Sequence, residues 1–181
     1  LKLDFQKNGT FMVLDGNQQF ENLHLLTIED DLGDEYNFEP SSNSKPMKIE
    51  NWNIEIVEEN TYRKKVLLKA VIENLDISTE VTYYSNTSRI DFKTKINNNL
   101  KNKRIRLHFP TNIATNYITA DTPFGIIERA RQPVDWKNSA FNQPLYNFID
   151  HKNEKCGLSF FGGGLASYEL YKDGNGFAVD L

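Results

Sequence analysis

One cysteine, Cys156, stands in 181 residues, so no intrachain disulfide can form. That excludes a small secreted cystine scaffold and suits a reducing, cytoplasmic setting. Cys156 lies beside Gly157 at the head of the apolar run 158–161 and is expected to be a buried small hydrophobe. No apolar run approaches the roughly 20 residues that a membrane-crossing helix needs, and no leader is legible, so no membrane partner is expected. A basic stripe is missing as well. The net charge is -4 with both signs dispersed, which excludes a phosphate-backbone partner and hence nucleic acid. The one basic cluster, residues 101–106, alternates with Ile105 and Leu107 and reads as the solvated face of a strand.

Sequence signatures of an active centre are equally scarce. There is no GxSxG elbow, and Cys156 has no patterned His partner, so nucleophilic catalysis is not encoded here. Gly162-Gly163-Gly164 lacks the Lys-Ser/Thr of a phosphate loop and reads as a turn. His24, His108 and His151 are too far apart to place two imidazoles on one metal by local spacing. The acidic run 29–35 resembles a calcium loop in composition only, because its ligand spacing is absent. No metal and no cofactor are expected in this chain.

What remains is period-two alternation, from one end to the other, with no window carrying a helical apolar stripe. Leu1, Leu3 and Phe5 share a face; a turn at 7–9, a strand at 10–14 and a turn at 15–17 open the chain as a hairpin. A third strand is expected over 20–28, then a long polar loop over 29–45. Alternation resumes at Trp52, Ile54 and Ile56, again at Val66, Leu68, Ala70 and Ile72, and over 77–83. It is cleanest over 89–96, where Ile90, Phe92 and Ile96 should face a core while Arg89, Asp91, Lys93 and Lys95 face water. Shorter strands follow near 104–109, 116–120, 125–129, 145–149, 158–161, 168–171 and 177–181, with a second long loop over 131–144. About a dozen short strands with turns every 8 to 12 residues predict an all-β fold of two stacked antiparallel sheets. The length fits a single domain over 1–181. Both ends fall inside strand patterns and are expected to be cut points in a longer chain.

Several segments, in order, carry a family pattern. Phe20 to Leu23, followed by residues 28–40 with Gly33-Asp34-Glu35-Tyr36-Asn37-Phe38-Glu39-Pro40, resembles the Gly-Asp-x-Tyr-x-Phe/Tyr-x-Pro signature in the C-terminal mannosidase region of family 38 glycoside hydrolases. Residues 88–98 resemble the family's strand leading into a basic turn, and Arg104-Ile105-Arg106-Leu107-His108-Phe109-Pro110-Thr111 resembles its Leu-Arg-Val-Leu-Phe-Pro-Thr strand. Asp121 to Gly125 with Arg129, then Gln143-Pro144 and Phe148-Ile149-Asp150, continue the series, which closes with Gly157-Leu158, Gly164-Leu165 and Tyr168-Glu169. Gly162-Gly163 and Ala166-Ser167 depart from the family's Asn-Lys and Pro-Glu, which removes those side chains from any shared role.

The resemblance implies a galactose-mutarotase-like supersandwich, in agreement with the strand count. It also implies a parent enzyme, an α-mannosidase of bacterial type, that hydrolyses terminal α-mannosides with retention through an Asp nucleophile, a second carboxyl and a divalent cation, usually zinc. Those groups belong to the N-terminal catalytic domain of the parent, so this chain alone is expected to be inactive and to act as a wall of the sugar site. Substrate-binding candidates by resemblance are Asp34 and Tyr36 on the first loop and Arg129 and Arg131 near the second. Two other readings are a stand-alone carbohydrate-binding module and a mutarotase-like epimerase; the latter needs a convergent His and Glu pair for which no motif is present.

Overall fold

The computed structural model describes residues 1–34, 38–43, 45–130 and 142–181. Among these residues every regular element is a β-strand, and the strands pair antiparallel, as the alternation predicts. The chain separates into two compact units, Leu1–Arg104 and Ile105–Leu181.

In the first unit, β1 (Lys2–Phe5), β2 (Phe11–Asp15) and β3 (Gln18–Leu23) form a three-stranded sheet. After β4 (Leu25–Asp30) and the short β5 (Met47–Lys48), a four-stranded meander runs through β6 (Asn53–Glu59), β7 (Arg63–Ile72), β8 (Leu75–Tyr84) and β9 (Ile90–Asn98). The register of β9 follows its sequence: Ile90, Phe92, Thr94 and Ile96 pair with Tyr83, Val81, Thr79 and Ile77 and are half-buried, while Arg89, Lys93 and Lys95 are exposed. Asp91 departs from that pattern. It is half-buried because it accepts the Tyr84 hydroxyl at 3.0 Å and pairs with Arg89 at 2.7 Å.

The expected strand over 20–28 is two strands, broken at His24, whose backbone adopts φ 67°. The break turns the imidazole inward. His24 Nδ1 lies 3.1 Å from the Gly9 carbonyl, and the ring stacks on Phe92 at 5.7 Å and 8°, with Phe11 and Trp52 around it. These rings join the β1-β2-β3 sheet to the meander, where Val66, Leu68, Ile77 and Val81 are buried.

The second unit is a two-sheet sandwich. β10 (Lys103–Pro110) enters it from Ile105 onward; β11 (Tyr117–Thr122), β12 (Gly125–Ala130), β13 (Gln143–Pro144), β14 (Phe148–Lys152), β15 (Gly157–Phe161), β16 (Ser167–Leu170) and β17 (Gly176–Asp180) follow. One sheet has the order β12-β11-β14-β15, and the other runs β13-β16-β17-β10. Phe109 and Phe177 on the second meet Phe160 and His151 on the first at ring distances of 5.1 to 6.1 Å. Aromatic area of this kind dominates a core between sheets.

Two expectations are corrected. The basic cluster is a solvated face only in part: Lys101 and Lys103 are exposed, but Arg104 and Arg106 are each 8% exposed, because their charges are met in place, Arg104 by Phe38 and Arg106 by Glu169. Cys156 is half-buried, not buried, since it closes a turn in which the Asn153 amide donates to its carbonyl at 3.0 Å and Asn153 Oδ1 accepts its amide at 3.1 Å.

Gly9 and His24 give two tests. Gly9 has φ +79°, and a Cβ there would overlap the Trp52 indole, so Gly9→Ala should cost about 2 to 4 kcal/mol in urea unfolding. A loss below about 0.5 kcal/mol would contradict this packing. Burial lowers the His24 pKa to about 4, against a smaller opposing effect of the Gly9 carbonyl. The unfolded chain takes up that proton near 6.5 and the folded chain only near 4, so stability is full above pH 6.5 and falls as the pH drops to 4. The loss should total on the order of 3 kcal/mol and be missing from the pH profile of His24→Gln.

Candidate functional site

The first candidate segment leaves the end of β4. Asp31 Oδ1 accepts the amides of Gly33 at 2.9 Å and Glu39 at 3.1 Å, so one carboxylate fixes both the departure and the return of the loop. The Leu32 amide donates to the Glu39 carbonyl at 2.8 Å, Asp31 and Pro40 form an isolated antiparallel bridge, and the Asp31 amide donates to Asn102. Lys103 pairs with Asp30. The Arg104 guanidinium lies 4.1 Å from the centre of the Phe38 ring, a cation-π contact that fixes the returning arm. Asp34 is exposed on the outgoing arm. A shallow cleft of about 140 Å³ lies at the foot of β4, lined by Asp30, Met47, Glu73 and Lys103 among others. Small-molecule sites span roughly 300 to 1,000 Å³, so this cleft does not enclose a sugar by itself.

The second candidate segment lies between β12 and β13. Arg129 Nη1 donates to Gln143 Oε1 at 3.0 Å, beside the buried Tyr168, which is the register partner of Gln143. Burial pushes the Tyr168 hydroxyl up to about 12, with the neighbouring Arg129 pulling it the other way. On the opposite face of the β16-β17-β10 sheet, Arg106 meets Glu169 at 2.8 Å and Asp180 at 3.3 Å. Asp180 also accepts the Ser167 hydroxyl and, at 3.2 Å, the Asn142 amide group. His108 Nδ1 and the Tyr171 hydroxyl lie 3.0 Å apart farther along that face, and burial raises the Tyr171 pKa.

The family model described as "Glycosyl hydrolases family 38 C-terminal domain" matches residues 1–165. The chain belongs to glycosyl hydrolase family 38. A Halalkalibacterium halodurans protein provisionally named a mannosylglycerate hydrolase is 27% identical over 96% of this chain, and the match spans 23% of that relative. Two solved structures share the fold: an α-mannosidase from Enterococcus faecalis V583, with TM-score 0.90 and 23% identity, and a family 38 glycosyl hydrolase from Enterococcus faecalis, with TM-score 0.87 and 21% identity. Each is covered over 99% of this chain and 24% or 25% of its own.

Within this family 38 domain, Asp34 lies in the first unit and Arg129 in the second, while Tyr36 and Arg131 lie outside the described residues. The signature around Tyr36 has a structural explanation at its ends: Phe38 seats on Arg104 and Pro40 bridges Asp31. Asp121, another motif residue, accepts the amides of Asn147 and Phe148, each at 2.9 Å, and the Asn147 side chain at 2.6 Å. Desolvation raises its pKa and those hydrogen bonds outweigh it, leaving the carboxyl below its usual value.

The donors among the described residues do not fit the family's divalent cation. Among the described residues no group of three or more His, Cys, Asp or Glu is placed to hold a metal ion. His24 points at the Gly9 carbonyl, and both nitrogens of His151 are engaged, by Thr111 at 2.9 Å and by the Gly174 carbonyl at 3.1 Å. Desolvation lowers the His151 pKa, so its neutral form is favoured.

Sequence reasoning missed the cluster of Arg106, Glu169 and Asp180. The available signal was Arg104, Arg106 and His108 at period two, but alternation does not say that the charged face is covered. Removing one member of a buried ion cluster leaves its partners uncompensated, so Arg106→Ala should lose about 3 to 5 kcal/mol by urea unfolding. A loss under about 1 kcal/mol would show the cluster to be solvated.

Proposed function

We propose that this chain is the C-terminal domain of a longer retaining α-mannosidase and that it completes the wall of the sugar site. The observation that carries the reading is the family match over residues 1–165 in a chain that spans about a quarter of its matched relatives. On this reading the two compact units are parts of one domain, since the matched residues run through the boundary at Arg104 and Ile105. The parent works in the cytoplasm, which the single Cys156 supports.

Hydrolysis with retention needs two carboxyl groups about 5 to 5.5 Å apart, one as nucleophile and one as acid and then base. In this proposal both come from the N-terminal catalytic domain of the parent chain, as does the zinc-type cation that grips sugar hydroxyls. The contribution of this domain is orientation. The loop carrying Asp34 and Tyr36, braced at Asp31 and Phe38, supplies a hydroxyl to the mannosyl unit, and the segment carrying Arg129 and Arg131 supplies the cationic side of the wall. The substrate class is a terminal α-mannoside; the name of the Halalkalibacterium relative puts mannosylglycerate among the substrates to try.

The isolated chain should hydrolyse no aryl α-mannoside and, after dialysis, retain no stoichiometric zinc by elemental analysis. Turnover by the chain alone, or one tightly held zinc per chain, would overturn the division of labour. In the full-length parent, Tyr36→Phe should lower kcat/KM by about one to two decades with thermal unfolding unchanged, as loss of an oriented hydrogen bond worth about 1 to 3 kcal/mol requires. Wild-type kinetics for that variant would return the loop to a purely structural role.

A further inference from the structure

We propose that the exposed apolar strip of Phe124, Ile126 and Phe161, on the β12-β11-β14-β15 sheet of the second unit, is the surface on which the parent chain's N-terminal catalytic domain docks. The inference rests on the reading that this chain is one domain of a longer enzyme. On the covered face of that sheet Ile118, Ala120 and Ile149 are buried. Their neighbours in the chain point the other way, since successive side chains of a strand alternate. A row of such outward positions crosses the four strands: Ile126 pairs with Asp121, Asp121 accepts the Phe148 amide at 2.9 Å, and Phe148 pairs with Phe161. The Phe148 and Phe161 rings lie 5.7 Å apart. Ile126 is 67% exposed and Phe161 74%, where the outward face of an antiparallel sheet ordinarily carries polar side chains. The next row of the same face does so, with Glu128, Thr119, Asp150 and Ser159. The apolar row is thus confined to the end of the sheet at which β11 turns into β12.

Phe124 extends the strip from a tethered turn. Thr122 pairs with Gly125 across that turn, the Thr122 hydroxyl donates to the Gly125 carbonyl at 3.0 Å, and Pro123 fixes the backbone just ahead of Phe124. The Phe124 side chain is nevertheless 100% exposed. A ring held in place loses little further freedom on binding, which suits an anchor in an interface. Asp121, the one carboxylate in the row, already accepts the Asn147 and Phe148 amides and the Asn147 side chain. The strip therefore offers few polar groups, which disfavours a sugar, whose hydroxyls need hydrogen-bonding partners, and favours an apolar protein surface. The length of chain outside this domain selects that protein. The family model is a C-terminal domain, and this chain covers 23 to 25% of its matched relatives, so the larger N-terminal part of the parent is a cover present in every molecule. A stable interface removes about 800 Å² from each partner, more than these side chains present, so the strip is the core of the contact and Glu128 and Asp150 belong to its polar rim.

The test labels the intact full-length enzyme with hydroxyl radicals, without substrate, and compares each strip residue with itself in the urea-unfolded enzyme. Phe124 is the sharpest reporter, because uncovered it would react as fast as in the unfolded chain. Docking predicts that Phe124, Ile126 and Phe161 react about tenfold more slowly in the native enzyme, and that this protection survives about a hundredfold dilution. With p-benzoylphenylalanine in place of Phe124, the photo-cross-link should fall on peptides of the N-terminal domain of the same molecule, as read in a mixture of isotopically light and heavy enzyme. A native Phe124 rate within about twofold of the unfolded rate would overturn the proposal. Protection lost on dilution, or a light-to-heavy cross-link, would assign the strip to a second copy instead. Protection gained only with added mannoside would assign it to sugar. Failure of the underlying parent-enzyme reading shows separately, as a native protein no longer than this chain.

Discussion

Arg106 is one of the least exposed charges in the described chain, at 8%, and the strand that carries it is buried on both sides. On one side Ile105, Leu107 and Phe109 enter the core of the second unit; on the other a guanidinium has left water and must be met where it stands. Glu169 on β16 and Asp180 on β17 meet it, and the backbone pairing of Arg106 with Asp180 means that a one-residue slip would separate the charges and turn Phe177 and Val179 out of the core. The ion cluster therefore specifies the alignment of three strands. It also reaches beyond them, because the same Asp180 carboxylate accepts the Asn142 side chain at the edge of segment 131–141.

The first unit solves a related problem with rings. His24 breaks a strand at positive φ and fills the space between Phe92, Phe11 and Trp52, so the junction of two sheets depends on a neutral imidazole and on Gly9, the residue that lets Trp52 close over it. Beyond that junction the meander pairs its charges near the surface, with the half-buried Lys65 and Glu80 joined across neighbouring strands at 3.1 Å and the exposed Arg63 with Glu58 at 2.7 Å. Pairs that stay in contact with water contribute little to stability. In the first unit Phe38 is tied to Arg104, and in the second Asn142 is tied to the Arg106 cluster through Asp180.

Strands and their inward faces were legible in the sequence because period two is a local property, and residues 89–96 show it well: every even position lies inward as read. The break at His24 was not read because hydrophobicity continues through it; the shift of parity between Phe20 and Leu23, both buried, belongs to a bulge inside β3, where its pairing with β2 slips. Covering of the basic face was hidden for a different reason. Alternating Arg and Ile on a strand reads the same whether the arginines meet water or Glu169 and Asp180, which lie more than sixty residues away in sequence. The family was legible because its Gly-Asp-x-Tyr-x-Phe-x-Pro segment is dense in residues with fixed structural tasks, here Phe38 and Pro40. Of the four residues proposed for the sugar site, Asp34 and Arg129 are described, and Tyr36 and Arg131 fall outside the described residues.

The central claim is that this domain reaches the sugar. It is tested most directly by a crystal structure of the full-length family 38 enzyme with an unhydrolysed mannoside or mannose-type inhibitor bound. The account predicts the Tyr36 hydroxyl within hydrogen-bond distance of a sugar oxygen, about 2.6 to 3.2 Å, with both catalytic carboxyl groups supplied by the N-terminal domain. A bound sugar more than about 10 Å from every atom of residues 34–36 and 129–143, beyond the reach of direct or single-water contact, would contradict it.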